Sequence, residues 1–151
     1  MAFDVREALV EAYPKLHRYA LSKTRDADQA EDMVLEACKR ILERDERMSD
    51  EINVVAYAIT IIRNLMVDRS RLREDQLDEE AEGPIDHSRP GELFELGQLL
   101  SSLGEECEKI LTIFAMGHSY ADIAKTLEIA QGTVMSRMSR CRSRLQSAMA
   151  A

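Results

Sequence analysis

The chain has 151 residues, with 20 lysine and arginine against 28 aspartate and glutamate side chains, a formal net charge of −8, and no tryptophan. That length suffices for one domain or for two small helical ones, each half being near the lower limit for burying an adequate core alone. There is no apolar run of about 18 residues and no charged-then-apolar leader, which argues for a soluble cytoplasmic protein without membrane insertion.

Few aromatics and a high content of alanine, leucine, glutamate and arginine predict an all-α fold. An acidic chain is a poor match for nucleic acid, because the phosphate backbone attracts cations. The distribution changes that reading. Residues 1–73 carry 13 basic and 14 acidic side chains, residues 74–108 carry 1 and 12, and residues 109–151 carry 6 and 2, so the acidity is a middle block and the C-terminal end is basic. Cys38, Cys107 and Cys141 are far apart and two lie on apolar helix stripes, which predicts buried free thiols in a reducing compartment. His17, His87 and His118 form no ligand cluster with them, so no metal is expected. With no glycine-rich phosphate loop and no nucleophile–base or carboxylate constellation, nothing points to an enzyme, a cofactor or a small-molecule substrate.

Asp4 can cap a first helix with Val5, Leu9, Ala12 and Tyr13 inward; Pro14 is expected to interrupt or kink it before Leu16, Tyr19 and Ala20 continue the face. Asp26, with Gln29 three residues on, opens a second helix whose buried side is Ala30, Met33, Val34, Ala37 and Ile41. Its other side carries Asp28, Asp32, Glu36, Lys39 and Arg40. Asp45 to Asn53 reads as a polar connection, with Asn53 as cap. From Val54 to Val67 the next helix is apolar on most sides, as a domain's central helix is, and it runs out into Asp68-Arg69-Ser70-Arg71-Leu72-Arg73.

Glu74 to Gly91 combines low hydrophobicity, strong negative charge and two Pro-Gly pairs, which predicts a tether of extended or disordered chain. Beyond it, Leu93, Leu96, Leu99, Leu100 and Leu103 form one helical stripe, and Ile110, Leu111, Phe114 and Ala115 another, ended by Gly117. These two helices are read as a buttress for the C-terminal pair.

Ser119, with Asp122 three residues later, is a capping-box-like start for a short helix, Tyr120 to Leu127, in which Ile123, Ala124 and Leu127 share a face. Glu128 to Gln131 connects it to a longer helix on which Val134, Met138, Cys141 and Leu145 fall on one stripe. Ser136, Ser139, Arg140 and Ser143 point the other way, flanked by Arg137 and Arg144. A short helix, a tight connection and a second helix presenting arginines between small hydroxyls make a helix-turn-helix whose second helix suits a DNA major groove.

The string Ser119-Tyr120-x-x-Ile123-Ala124, followed by Gly132-Thr133-Val134-x-Ser136-Arg137-x-x-Arg140-x-Arg142-x-x-Leu145, resembles region 4 of the bacterial extracytoplasmic-function (ECF) sigma factors. Upstream, Asp28-x-Ala30-Glu31-Asp32-Met33-Val34-x-Glu36-Ala37 resembles the region 2 helix with which that family grips the clamp of RNA polymerase. Ile62-Arg63-Asn64-Leu65-x-x-Asp68-x-x-Arg71 resembles its −10-element string. The resemblance implies a region 2 domain over residues 1–73, an acidic linker over 74–91 and a region 4 domain over 92–151. It implies core-polymerase contacts at Asp28, Asp32, Leu35 and Glu36, with Leu35 standing where the family has glutamine. It also implies a −10 site at Met48, Arg63, Asn64, Arg69 and Arg71, with Arg47 completing the base pocket and Arg73 beside the phosphates. The Asn64 amide would recognise one flipped base. Tyr57 takes the place of a common tryptophan, and Met48 that of a common aromatic. At the −35 element, Ser136, Ser139 and Arg140 would reach bases while Thr133, Arg137 and Arg144 hold phosphates, with Met135 where a cation is frequent.

Expected partners are the clamp and flap of core RNA polymerase, promoter DNA and an anti-sigma factor. The acidic linker could thread the polymerase channel, whose lining is basic. Two other readings use some of the same features: a sigma-like decoy that sequesters an anti-sigma factor, and a helix-turn-helix regulator. The first has no use for an intact reading helix, and the second none for Arg63-Asn64.

Overall fold

The computed structural model describes residues 3–44, 48, 50–76 and 90–150, with the side chains of 70–76 and 90–91 excepted. Among these residues the elements are helices: α1 (Val5–Lys23), α2 (Ala27–Glu43), α3 (Glu51–Gln76), α4 (Pro90–Ser102), α5 (Glu105–Ala115), α6 (Tyr120–Leu127) and α7 (Gln131–Ala150).

Local chemistry sets most of the boundaries. The Asp4 carboxylate accepts from the amides of Arg6 and Glu7, and that of Asp26 from Asp28 and Gln29, satisfying orphan donors at the starts of α1 and α2. Each such cap is worth about 1 kcal/mol. Pro14 does not break α1, which continues to Lys23. The carbonyl that loses its partner to Pro14 belongs to Val10, which is exposed, so water can replace the missing donor. The cap of α3 is Asp50 instead of Asn53: its carboxylate accepts from the Asn53 amide at 2.7 Å, and the helix begins earlier than the polar composition suggested. At the other end α3 runs past Arg73 to Gln76 and α4 takes in Pro90 and Gly91, so both ends of the expected tether, Glu74 to Gly91, are helical, and its residues 77–89 lie outside the described residues.

The first half of α3 is the axis of the N-terminal half. Ile52, Val54, Val55, Ala56, Ala58, Ile59, Ile61 and Ile62 are all buried, and α1 and α2 pack around them through Leu9, Leu16, Met33, Val34 and Ile41. Exposure returns from Arg63 onward, so α3 is core at its start and surface at its end.

In the C-terminal half the stripes shift from those expected. The buried side of α5 is Cys107, Glu108, Ile110, Thr112 and Ile113, whereas Leu111 and Phe114 are half-buried and Ala115 is exposed. On α4 no leucine is fully buried. The residue that meets α1 is Gly97, where an ideal Cβ would lie 1.8 Å from the Ser22 carbonyl oxygen, so the two backbones touch and only glycine fits. Ile110, Ile113, Met116, Ile123, Val134 and Met138 join the same hydrophobic cluster as α1–α3. Each half alone is short of core, and the contiguous cluster is how the described residues make up for that.

Candidate nucleic-acid and polymerase interface

The helix-turn-helix is built by local rules. The Ser119 hydroxyl accepts from the Asp122 amide at 3.1 Å and starts α6. At its end Glu128 adopts a left-handed conformation, φ 57°, so that the Ile129 amide bonds back to the Ala124 carbonyl at 3.0 Å. That reverses the chain, after which the amides of Thr133 and Val134 bond the Ala130 carbonyl and wind the first turn of α7. Ile123, Val134, Met138 and Cys141 are buried and fix how α7 sits; Leu145 is half-buried.

The opposite face of α7 is bare. Ser136, Ser139 and Arg140 are exposed, Thr133 is half-buried, and Met135 is 52% exposed. The flanking arginines are less free. Arg137 is half-buried and pairs with Glu106 at 2.6 Å. Arg142 lies over the Phe114 ring and donates to the Tyr120 hydroxyl at 2.9 Å, while Arg144 reaches toward the Cys107 sulfur.

That sulfur corrects an expectation. Cys107 and Cys141 are not free thiols but a disulfide between α5 and α7, with Cα atoms 5.3 Å apart, and Cys38 alone is free. Both lie on buried stripes that meet where the two helices cross, a juxtaposition that a separation of 34 residues does not advertise. Burial raises the Cys38 thiol above its ordinary value. Among the described residues no group of histidine, cysteine or carboxylate side chains could hold a metal ion.

On α2, Asp28, Asp32 and Leu35 are exposed, and Glu36 is half-buried and bonded to Arg40 at 3.0 Å, one helical turn away. They share the face opposite Ala30, Met33, Val34, Ala37 and Ile41, as a contact surface requires. The −10 candidates are divided. Asn64 is exposed, so it is not a buried structural amide, and Arg69 is half-buried. Met48, expected to help form the base pocket, is instead packed into the hydrophobic cluster at 7% exposure and offers little surface to a base. Arg47 and the side chains of Arg71 and Arg73 lie outside the described residues. Tyr57 is half-buried, its hydroxyl accepting from Arg44 at 2.9 Å.

Arg63 leads to a cluster that the sequence pattern does not reveal. Its Nε donates to Glu108 at 3.1 Å and its Nη1 pairs with Glu105 at 3.1 Å. Glu108 is fully buried and also accepts from the Tyr19 hydroxyl at 3.0 Å and pairs with Lys23. One carboxylate of α5 thus joins α1 and α3, with both oxygens occupied by charged or hydroxyl donors. Burial holds Lys23 below its ordinary value, outweighing the attraction of Glu108. Burial and the neighbouring carboxylate push the Tyr19 phenol far above its own. A glutamate on an otherwise apolar stripe was the available signal, since such a group is buried only when paired.

The sigma-70 region 2 family matches residues 9–75, and the sigma-70 region 4 family residues 93–145. Helical order, the helix-turn-helix and these two matches define a promoter-specificity subunit of the sigma-70 class. The ECF RNA polymerase sigma factor EcfG of Rhodopseudomonas palustris is 32% identical over 153 residues, covering 95% of this chain and 84% of that protein. The ECF RNA polymerase sigma factor SigL of Mycobacterium tuberculosis is 33% identical over 134 residues, covering 82% and 76%. The chain belongs to the ECF sigma factors, and as such it directs promoter-specific transcription initiation. A solved structure of the sigma factor RpoE in complex with the anti-sigma factor NepR, from Bartonella quintana, matches with a TM-score of 0.57 at 25% identity, over 97% of this chain and 96% of that one. Among the described residues no helix is long and apolar enough to cross a membrane.

Proposed function

We propose that the region 2 half, residues 1–73, holds the clamp of core RNA polymerase through Asp28, Asp32, Leu35 and Glu36. It opens the −10 element with Asn64, while Arg63, Arg69 and Arg71 steady the phosphates; Met48, packed into the hydrophobic cluster, is not among the contacts. The region 4 half, residues 92–151, docks on the flap and reads the −35 element: Ser136, Ser139 and Arg140 address bases, and Thr133, Arg137 and Arg144 the backbone. The acidic segment between them is the tether. In this reading the chain works in the cytoplasm as a specificity subunit, with no catalysis, cofactor or small-molecule substrate of its own. By its likeness to the Bartonella complex, an anti-sigma factor is its regulatory partner.

The observation that carries the reading is the face of α7, where Ser136, Ser139 and Arg140 stand exposed on a helix anchored from behind by Val134 and Met138. The test is transcription in vitro by purified core polymerase on a pool of random promoters. The expected result is initiation from a set of templates sharing two spaced elements. A chain that binds the enzyme yet never directs initiation would be a decoy, and the assignment would be withdrawn.

A further inference from the structure

Cys107 sits in the first turn of α5, whose free amides have no side-chain cap because the residue before it is Gly104. Arg144 of α7 reaches the Cys107 sulfur at 3.9 Å. Amide dipoles and a guanidinium converging on one sulfur both favour a thiolate over a thiol. Cys141 lies opposite and is bonded to it, with the two Cα atoms 5.3 Å apart. We propose that Cys107 and Cys141 are a peroxide-reactive pair, Cys107 the attacking thiolate and Cys141 the resolving thiol, and that their oxidation frees Arg144 for promoter phosphate. The last step rests on the assignment of Arg144 to the DNA backbone.

The surrounding charges leave this sulfur a cation. Glu105, Glu106 and Glu108 share the first turn of α5, and by themselves they would repel a thiolate. Each is already paired: Glu105 with Arg63, Glu106 with Arg137, and Glu108 with Arg63 and Lys23. Arg144 has no carboxylate partner among the described residues, so its charge acts on Cys107 instead. Cys38 is the contrast: it is free and half-buried, and burial alone holds its thiol above the ordinary value.

The chemistry balances with hydrogen peroxide as the oxidant. The Cys107 thiolate attacks one peroxide oxygen and the O–O bond breaks, giving a sulfenic acid and a hydroxide that takes a proton from solvent. The Cys141 thiol then attacks that sulfur: the S–S bond forms, the S–O bond breaks, and the oxygen leaves as water with the thiol's proton. The two sulfurs lose two electrons to peroxide, and a dithiol returns them. Cys107 is 6% exposed and Cys141 3%, so the oxidant must be small, as peroxide is. In the bridged form the sulfur is neutral, its contact with Arg144 is too long for a charged hydrogen bond, and Arg144 is exposed. In the reduced form the thiolate engages the same guanidinium, which is then drawn from phosphate.

The test starts from the full-length chain, reduced with dithiothreitol and then freed of it. Hydrogen peroxide should consume two of the three thiols and join Cys107 to Cys141, leaving Cys38, as read by thiol titration and peptide mass. In Cys141→Ala, dimedone should mark Cys107 and neither Cys38 nor any other residue. Arg144→Gln should bridge roughly tenfold more slowly, because a smaller fraction of Cys107 is then thiolate. The wild type unfolded in urea is a reference that needs no variant, and the native chain should bridge faster than it does. A dimedone adduct on Cys38 in place of Cys107, an unchanged rate in Arg144→Gln, or native bridging no faster than unfolded would overturn the proposal. For the DNA step, fluorescence anisotropy with a labelled random-sequence duplex at low salt reads phosphate contacts alone. The bridged protein should show a salt slope steeper by about 1 than the reduced protein, and Arg144→Gln should lack that difference. Equal slopes for the two wild-type forms would overturn the link to DNA. Failure of the wild type to initiate on any template would instead strike the functional reading, and the thiol measurements would still decide the pair.

Discussion

Reducing the Cys107–Cys141 disulfide should lower stability by an amount set by its place in the chain. The bridge closes a loop of 34 residues, for which the loss of freedom in the unfolded ensemble is worth about 4 kcal/mol. Native-state losses should be small, because both sulfurs are buried at the crossing of α5 and α7 and two thiols occupy nearly the same space. With a urea dependence of about 2 kcal/mol per molar, the midpoint should fall by about 2 M on reduction, with little change in slope. The assay is urea unfolding followed by circular dichroism with and without a phosphine reductant, and Cys141→Ala without reductant should reproduce the shift. Thiol titration of the denatured, unreduced protein should count one of the three cysteines, Cys38, and all three after reduction. A midpoint that stays within 0.5 M (about 1 kcal/mol at that slope), or three reactive thiols before reduction, would show that the bridge is not part of the native protein.

Glu128 sits at φ 57° without an ion pair among the described residues, so Glu128→Gly should raise stability by about 1 kcal/mol, read as a higher Tm; a lower Tm would mean that the side chain holds the turn. Arg140→Ala should cost roughly 5- to 150-fold in discrimination at one −35 position, while Arg144→Ala should weaken binding on all sequences and reduce the salt slope by about 1; equal effects of both on every promoter would reverse the assigned roles. The Tyr19 phenol is raised by burial and by Glu108, so the folded state keeps its proton when the unfolded chain loses it. Stability contributed below pH 10 should therefore be lost as the pH rises beyond it, by up to about 1.4 kcal/mol per unit, and Tyr19→Phe should lack that loss; identical alkaline profiles would place the phenol in water.

What could be read from the sequence was what neighbouring residues decide among themselves. The Ser119 cap, the stripe through Val134, Met138 and Cys141, and the Asp26 cap involve groups within a turn or two of each other, and each appears where the spacing puts it, with Leu145 at the end of the stripe half-buried. Where two local rules competed, the reading slipped. Asp50 and Asn53 are both good caps, and the carboxylate, which gains more from the helix N-terminus than an amide does, took the place. Pro14 breaks helices in general, but a solvent-facing Val10 carbonyl makes the loss tolerable here. Contacts that depend on which helices meet were out of reach. Glu108 finds Arg63 across 45 residues and Tyr19 across 89, and Gly97 resembles any helix glycine until the Ser22 carbonyl is seen against it.

The charge distribution ties these features to the family's task. A sigma factor with a strongly basic surface would bind the bulk of chromosomal DNA by counterion release alone, since that attraction is indifferent to sequence. This chain carries 19 of its 20 lysine and arginine side chains outside residues 74–108, and that block, with 1 basic and 12 acidic side chains, has a net charge of −11. At physiological salt a charge is felt over about 8 Å, so the acidic block acts chiefly where its carboxylates lie close to a cation. The ion pairs of α5 act at short range by engaging Arg63 and Arg137 directly, while Arg140, Arg142 and Arg144 of α7 remain exposed. On the reading proposed for α7, the free chain would be a weak DNA binder, and useful binding would rest on contacts that polymerase contributes. Acidity in a DNA-binding chain then becomes a means of making recognition conditional on the enzyme it serves.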